Sequence, residues 1–261
     1  MEDTKIRRLA SAEELFALAG ADYLLRTDAA PEESLAEPGA AWHAASGAFA
    51  FGGSGDGPGL VDWLTVVGAP DSAGTLLRYA LADLSRRPYG ISVPRGTDLS
   101  GIAFAEPEEW DYMVFDPQWG VTLAVQPGEE RVEEVLPSRA ADAEIGDFLH
   151  VANPGHSAKP GWDAIRAWGV VRDASGEVLA CGAYCRRGGG NGYLASVGTH
   201  PRARGQGLGA AVSAWLTRRS LAGGDGFCAL GHWHPNDPAR RVYARLGYRT
   251  THRMTSGKLS G

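Results

Sequence analysis

The stretch Val197-Gly198-Thr199-His200-Pro201-Arg202-Ala203-Arg204-Gly205-Gln206-Gly207-Leu208-Gly209-Ala210 decides how this chain is read. Its opening residues close a run, Tyr193 to Thr199, that has the character of a strand. From Leu208 onward the apolar residues Leu208, Ala211, Val212, Trp215 and Leu216 fall at i, i+3, i+4, i+7 and i+8, the stripe of an amphipathic helix. A strand therefore runs through a glycine loop straight into a helix. The first N–H groups of a helix have no acceptor within it and the macrodipole is positive there, so Arg204-x-x-Gly207-x-Gly209 is built to favour a phosphate. Glycines at 205, 207 and 209 remove the Cβ atoms that would hold an anion off the backbone, and they permit φ > 0.

A second motif follows, Asn236-Asp-Pro-Ala-Arg-Arg-Val-Tyr-Ala-Arg-Leu-Gly-Tyr248. A glycine loop alone is a weak signal. The two motifs together, in this order, resemble the pyrophosphate loop and the Asn-x-x-Ala-x-x-x-Tyr-x-x-Leu-Gly-Phe/Tyr signature of the GNAT superfamily of N-acyltransferases, over roughly residues 131–261.

Composition sets the frame. The 261 residues suffice for one large domain or two smaller ones, and 44% apolar content supports substantial cores. A formal charge of −6 and a pI near 5.7 give nucleic acid and anionic membranes no long-range attraction, and mildly favour cationic amines. Cys181, Cys185 and Cys228 form no framework and no Cys-x-x-Cys pair, so they read as buried or free thiols in a reducing cytosol. The first residues lack a signal-peptide pattern and no apolar run is long enough to span a bilayer. The expectation is a cytoplasmic protein with no membrane partner.

Taken in order, Ser11 reads as an N-cap with Glu14 three positions on, before a helix through Leu18. Residues 27–40 read as a loop or weak helix. Ala48 to Phe51 reads as a short strand, and the octamer Gly52 to Gly59 as a turn, since neither a Lys/Thr continuation nor an amphipathic helix follows it. Leu60 to Val67 is a strand, and a helix with the stripe Leu77, Ala80, Leu81 and Leu84 follows Pro70. An offset of 131 residues carries Pro70 to Pro201 and that stripe onto Leu208, Ala211, Val212 and Trp215. The strand-Pro-loop-helix unit occurs twice. In that register Ala73, Leu76 and Arg78 stand where Arg204, Gly207 and Gly209 stand, so the first copy lacks the phosphate cradle. Further strands are read at 91–94, 112–115 and 121–125, a turn at 117–120 and a linker at 126–130. The second half reads as a strand at 132–136, a helix at 141–151, a second short helix near 162–167, a hairpin of strands at 168–171 and 177–185, a turn at 186–192, and strands at 193–199 and 228–234 around the glycine loop and its helix.

The expected fold class is α/β (α+β): two GNAT-like domains, a degenerate one over 1–128 and an acyl-CoA-binding, catalytic one over 129–261. Each is a mixed, mostly antiparallel twisted sheet flanked by helices. The resemblance assigns residues as follows. Val197, Gly198 and Thr199 present main-chain groups to the pantetheine amides. The N–H groups of Gly205, Gln206, Gly207, Leu208, Gly209 and Ala210 hold the pyrophosphate, with Arg204 adding charge; Arg202 reads as a surface residue. Asn236 is a helix cap that also contacts the coenzyme, and Tyr243 protonates the leaving thiolate. Relatives often place a carboxylate base on the strand before the loop, but Tyr193 to Thr199 holds none. His232 and His234, alternate residues of one expected strand, are the candidate bases. No third ligand accompanies that His-x-His pair, so no metal is expected.

The resemblance implies an acetyl-CoA-dependent N-acetyltransferase that uses acetyl-CoA as acyl donor for a primary amine of a small molecule, attacked directly in a ternary complex, the protein being a monomer or homodimer. Two rivals stay open at this point: a non-catalytic acyl-CoA-binding module, and a transferase whose donor is aminoacyl-tRNA or a carrier protein.

Overall fold

The structure, a computed structural model, describes residues 5–29, 41–54, 61–187 and 189–260. Most of the 27–40 loop and the turn at 55–59 lie outside them. The chain forms two compact units, and these do not follow chain order: one comprises Met1–Tyr112, Trp233–Pro235 and Thr251–Gly261, the other Met113–His232 and Asn236–Thr250. The sequence boundary at 128/129 falls inside the second unit.

In the first unit, strands β1 (Ile6–Arg8), β2 (Ala41–Ala44), β3 (Phe49–Ser54), β4 (Val61–Val67), β5 (Gly90–Pro94) and β12 (Arg249–Leu259) lie in the order β1-β2-β3-β4-β5-β12. All neighbouring pairs are antiparallel except β4 and β5, which are parallel and joined through helix α3 (Pro70–Asp83). Trp42, Leu64, Val66, Leu76, Leu77 and Ile91 fill the core. Helix α1 (Ala12–Ala19) begins as its sequence predicts: Ser11 Oγ accepts from the Glu14 N–H at 3.1 Å, and Glu14 accepts from the Ala10 N–H at 2.8 Å. Helix α2 (Tyr23–Asp28) is capped by Asp22, whose other carboxylate oxygen lies 3.0 Å from His252 Nε2. Strand β6 (Phe104–Phe115) ends the series.

In the second unit, β7 (Glu133–Val135), β8 (Ile165–Arg172), β9 (Val178–Arg186), β10 (Gly192–Thr199) and β11 (Cys228–Trp233) follow the order β7-β8-β9-β10-β11. They are antiparallel up to β10, which pairs in parallel with β11 across helix α5 (Leu208–Ala222). Helices α4 (Arg139–Ala152) and α6 (Asp237–Arg245) complete the unit, α4 being capped by Ser138. Leu194, Val212, Leu216, Leu230, Tyr243 and Tyr248 belong to its core. The three cysteines are buried, and burial pushes the Cys185 thiol up to about 11 and the Cys228 thiol to about 12, so neither is a thiolate near neutral pH.

Three expectations are corrected. Residues 121–125 form no strand: Leu123 is buried and its carbonyl accepts from Arg218 Nη1 at 3.0 Å. The expected linker is anchored, with a 3-10 turn at Glu129–Arg131 and the buried Glu129 carboxylate 2.5 Å from Arg218 Nε. The second short helix is absent because β8 starts at Ile165, where buried Ile165 and Ala167 flank exposed Arg166 with a strand's period of two.

The duplication also needs a different register. Strands β4 and β10 correspond at the offset of 131, but α3 starts at Pro70 and α5 at Leu208, an offset of 138. Ala73, Leu76 and Arg78 are therefore interior helix positions, not counterparts of the loop residues. Only Gly68 and Ala69 separate β4 from α3, so the first copy has no loop at all, and Asp71 puts a negative charge in its helix's first turn.

The Asp22–His252 contact makes acid stability a test of the first unit. Burial raises the Asp22 pKa, but the hydrogen bond and charge of His252, with the backbone N–H bonds of Leu25 and Leu24, outweigh it and leave the carboxyl below its ordinary value. A carboxyl lowered in the folded state stabilises the fold above its unfolded pKa, near 4, and that contribution is lost as pH falls through the folded value. The urea midpoint of the wild type is expected to drop more steeply between pH 5 and 3 than that of Asp22→Asn; parallel profiles would refute the contact's role.

Candidate acyl-donor site

The site begins where β10 leaves β11. Their parallel register runs from Gly192↔Cys228 to Leu194↔Leu230, although β10 continues to Thr199. On its other edge β10 skips register against β9 between Ala195 and Gly198, and Ser196 sits there at φ 53, a left-handed conformation for a residue with a Cβ. Such strain persists where surroundings over-determine it. Here the buried Ser196 Oγ accepts from the Ala158 N–H at 2.9 Å and donates to the Ala158 carbonyl at 3.0 Å. Asn153, the C-cap of α4, donates from Nδ2 to the Val197 carbonyl at 3.2 Å. Gly198 permits this approach: a Cβ there would lie 3.4 Å from the Cβ atoms of both Ala152 and Asn153.

Beyond Thr199 a 3-10 turn, Pro201–Ala203, leads into the glycine loop. Gly205 and Gly207 take φ of 80 and 81, and Gly207 is the N-cap of α5 without any side-chain cap. Among the described residues, the N–H groups of Gly205, Gln206, Gly207, Leu208 and Gly209 donate to no backbone carbonyl, and the first loop N–H that does is Ala210, to Gly207 at 3.0 Å. Of these, Gly205, Gly207, Leu208 and Gly209 line a cavity of about 820 Å³ together with Val197, Thr199, Arg204, Ala210, Asn236 and Tyr243, whereas the predicted Gly198 and Gln206 are not among its lining residues. An acceptorless run of N–H groups at a helix N-terminus suits an anion.

The predicted residues divide clearly. Arg204 lines the cavity; its Nε donates to the Thr199 carbonyl at 3.3 Å and its Nη2 to the Ala152 carbonyl at 3.4 Å. Arg202 is held outside by Asp173 at 2.7 Å and Glu177 at 2.5 Å. Asn236 caps α6 through Oδ1, which accepts from the Ala239 N–H at 3.2 Å. Tyr243 is buried on the α6 face that lines the cavity, and burial, with a smaller contribution from Tyr193, pushes its hydroxyl above the usual phenol range, so it stays protonated at neutral pH.

The histidines part company. His232 is buried on β11 with its ring centroid 6.2 Å from that of Tyr243. His234 lies in the turn after Trp233, so strand alternation does not govern it. It groups with the first unit, its N–H donating to the Glu109 carbonyl at 2.8 Å and its Nδ1 3.7 Å from the buried Asp111. Neither ring is among the residues lining the cavity. Among the described residues no group of three His, Cys, Asp or Glu side chains is placed to hold a metal ion. Sequence reading missed Asn153 and Ser196, whose roles depend on a bulge, and Arg241 and Arg245, which line the cavity from α6.

A helix-terminal run of acceptorless N–H groups thus stands beside a parted parallel strand pair and a buried, protonated tyrosine. Residues 142–248 match the sequence model of the Acetyltransferase (GNAT) family, so the chain carries a GNAT domain there. The structure is similar to a GCN5-related N-acetyltransferase from Kribbella flavida (18% identity, 97% of each chain, TM-score 0.53). It is similar also to a Drosophila protein (14%, 99% of each chain, 0.63) and to a tandem GNAT protein from the clavulanic acid biosynthesis pathway (13%, 99% of each chain, 0.52). At these identities the likeness is one of fold, and it extends over both halves. Among curated proteins none matches the sequence.

Ser196→Ala would strip the Ala158 N–H and carbonyl of their buried partner. The expected loss is about 1–3 kcal/mol in chemical denaturation, with faster hydrogen exchange at the Ala158 amide. Unchanged exchange at that amide would show that the hydroxyl does not hold this segment.

Proposed function

We propose that the protein is an N-acetyltransferase that moves the acetyl group of acetyl-CoA to the primary amine of a small molecule within a ternary complex. The observation that carries this reading is one cavity lined by four loop residues with acceptorless N–H groups, Gly205, Gly207, Leu208 and Gly209, and by Tyr243. In this reading the loop and Arg204 hold the pyrophosphate, and the parted edge of β10 accompanies the pantetheine. Because Asn153 already donates to the Val197 carbonyl, pantetheine pairing there displaces that bond or uses the remaining groups of Val197 and Thr199. The amine nitrogen attacks the thioester carbonyl carbon, the C–N bond forms and the C–S bond breaks. Tyr243 gives its proton to the departing thiolate sulfur, and the proton leaving the amine passes through water to His232, the candidate base of the same unit. Holding both reactants together supplies much of the rate gain.

The test is calorimetric titration with acetyl-CoA followed by thiol release against a panel of primary amines. Binding with amine-dependent release is expected. Tyr243→Phe is expected to lower kcat about 100-fold with little change in acetyl-CoA affinity, as loss of a general acid does. Gly207→Glu directs a carboxylate into the cradle, where an added Cβ meets nothing within 4 Å, and should abolish binding at a backbone-strain cost of about 1–2 kcal/mol for a side chain at φ 81. Binding without release to any amine would favour a non-catalytic acyl-CoA module, and no binding at all would sink the donor assignment.

A further inference from the structure

Four adjacent strands of the first unit, β4, β5, β12 and β6, carry a hydrogen-bonded row that the acyl-donor site does not use. Trp63 Nε1 donates to Ser92 Oγ at 2.8 Å, Ser92 Oγ lies 2.6 Å from Ser256 Oγ, and Trp110 Nε1 donates to Ser256 Oγ at 2.6 Å. The two serines stand opposite each other in the β5–β12 register, and the core residues Ile91 and Val93, alternating with Ser92, turn to the other face of the sheet. Gly90 makes the Trp63 ring lie flat. A Cβ there would fall 2.3 Å from Trp63 Cζ3 and 2.6 and 2.7 Å from its neighbours Cη2 and Cε3, a spread so small that the point lies over the ring plane and not at its edge. One face of the indole therefore rests on the β5 backbone and the other is turned away from the sheet. Both indoles of the row are partly exposed, and Tyr89, 58% exposed, tilts beside Trp63 with ring centroids 6.4 Å apart.

The hydrogen bonds of the row do not close. Two hydroxyls bring two hydrogens and four lone pairs. The two indole donors and the bond between the serines use one hydrogen and three lone pairs, so one O–H and one lone pair stay unused among the described residues. A hydroxyl group both accepts and donates, as these two spare positions require, whereas a carbonyl only accepts. Lys258, on the same face two positions from Ser256, donates to Glu106 at 2.7 Å, so its charge is already matched and a neutral ligand suits the face. We propose that this face is a saccharide-binding site, on which a neutral pyranose lays its apolar C–H face over Trp63 and turns hydroxyl groups to Ser92 and Ser256. Ser92 is 5% exposed and its neighbours hold it in place, so the hydroxyl pair is set before a sugar arrives. The site lies within the first unit and is independent of the donor assignment.

The experiment is an NMR titration of the nitrogen-15-labelled full chain, following the indole N–H signals of Trp63 and Trp110, each assigned by its Trp→Phe variant. The probes are methyl β-D-glucopyranoside, methyl β-D-galactopyranoside and methyl α-D-mannopyranoside, each taken to about 50 mM. At least one is expected to shift both signals with a Kd in the millimolar range, and glycerol, which has hydroxyls but no ring to stack, is expected to shift neither. Trp63→Ala, read at the Trp110 signal, should weaken binding about tenfold, and Tyr89→Ala, a change at an exposed position, about threefold. If circular dichroism shows Trp63→Ala unfolded, Tyr89→Ala carries the test. Signals that stay still with all three pyranosides overturn the proposal, and a shift with adenine alone would make the face a base-stacking surface instead. Glycerol acting as the pyranosides do, or affinity undiminished in the folded variants, overturns it equally.

Discussion

The parting of β10 from β11 after Leu194 and Leu230 is the constraint on which the site depends. Two parallel strands kept in register to their ends would satisfy each other's backbone groups and leave no room between them. The bulge at Ser196 bends β10, and the tie between its hydroxyl and Ala158 holds the bend at a φ that a serine does not adopt unaided. Because Gly198 carries no side chain, α4 comes close enough for Asn153 to reach the Val197 carbonyl. Cavity, bulge and segment 153–158 are in this sense one construction.

The other end of β10 is fixed just as firmly. Tyr184, Ser220 and Arg186 all donate to the buried Asp225 carboxylate at 2.7 Å. Gly192 opens β10 beside this group, and a Cβ there would fall 1.9 Å from Ser220 Oγ and 2.6 Å from Asp225 Oδ2. A buried charge whose acceptor oxygens are all used rigidifies its surroundings. The strand is thus locked where it pairs and open where it parts, so the cavity is shaped before any ligand arrives and binding need not order it.

How much of this was legible in the sequence follows from the physics of each element. Helices α1, α4 and α5 and the run of β8 to β11 declare themselves through caps and periodicity, which are local. The glycine loop is legible because acceptorless N–H groups and positive φ both demand glycine. Residues 121–125 have a strand's composition but no partner strand, a condition no local pattern reports. The short helix read near 162–167 overlaps the start of β8, where exposed Arg166 between buried Ile165 and Ala167 shows a period of two. The ion pairs of Arg202 and Arg218 were invisible because their partners, Asp173, Glu177 and Glu129, are distant in sequence.

Comparing the two copies isolates what the phosphate cradle requires. Both place a helix between two parallel strands, with parallel registers of Trp63↔Gly90 to Thr65↔Ser92 and Gly192↔Cys228 to Leu194↔Leu230. Both therefore own a helix N-terminus at the carboxyl end of the first strand. In the first copy Pro70 takes the N1 position directly, Asp71 supplies the charge that complements the dipole, and Arg78 is spent on Asp98 and the Ser100 carbonyl. In the second, residues 201–207 intervene, the helix starts on a left-handed glycine with no side-chain cap, and no acid stands in its first turn. The difference is not the loss of a few contact residues. One copy satisfies its helix from within the chain, whereas the other leaves that satisfaction to a ligand, and a helix start of the second kind is stable only because Leu208, Val212 and Leu216 anchor it to the sheet below.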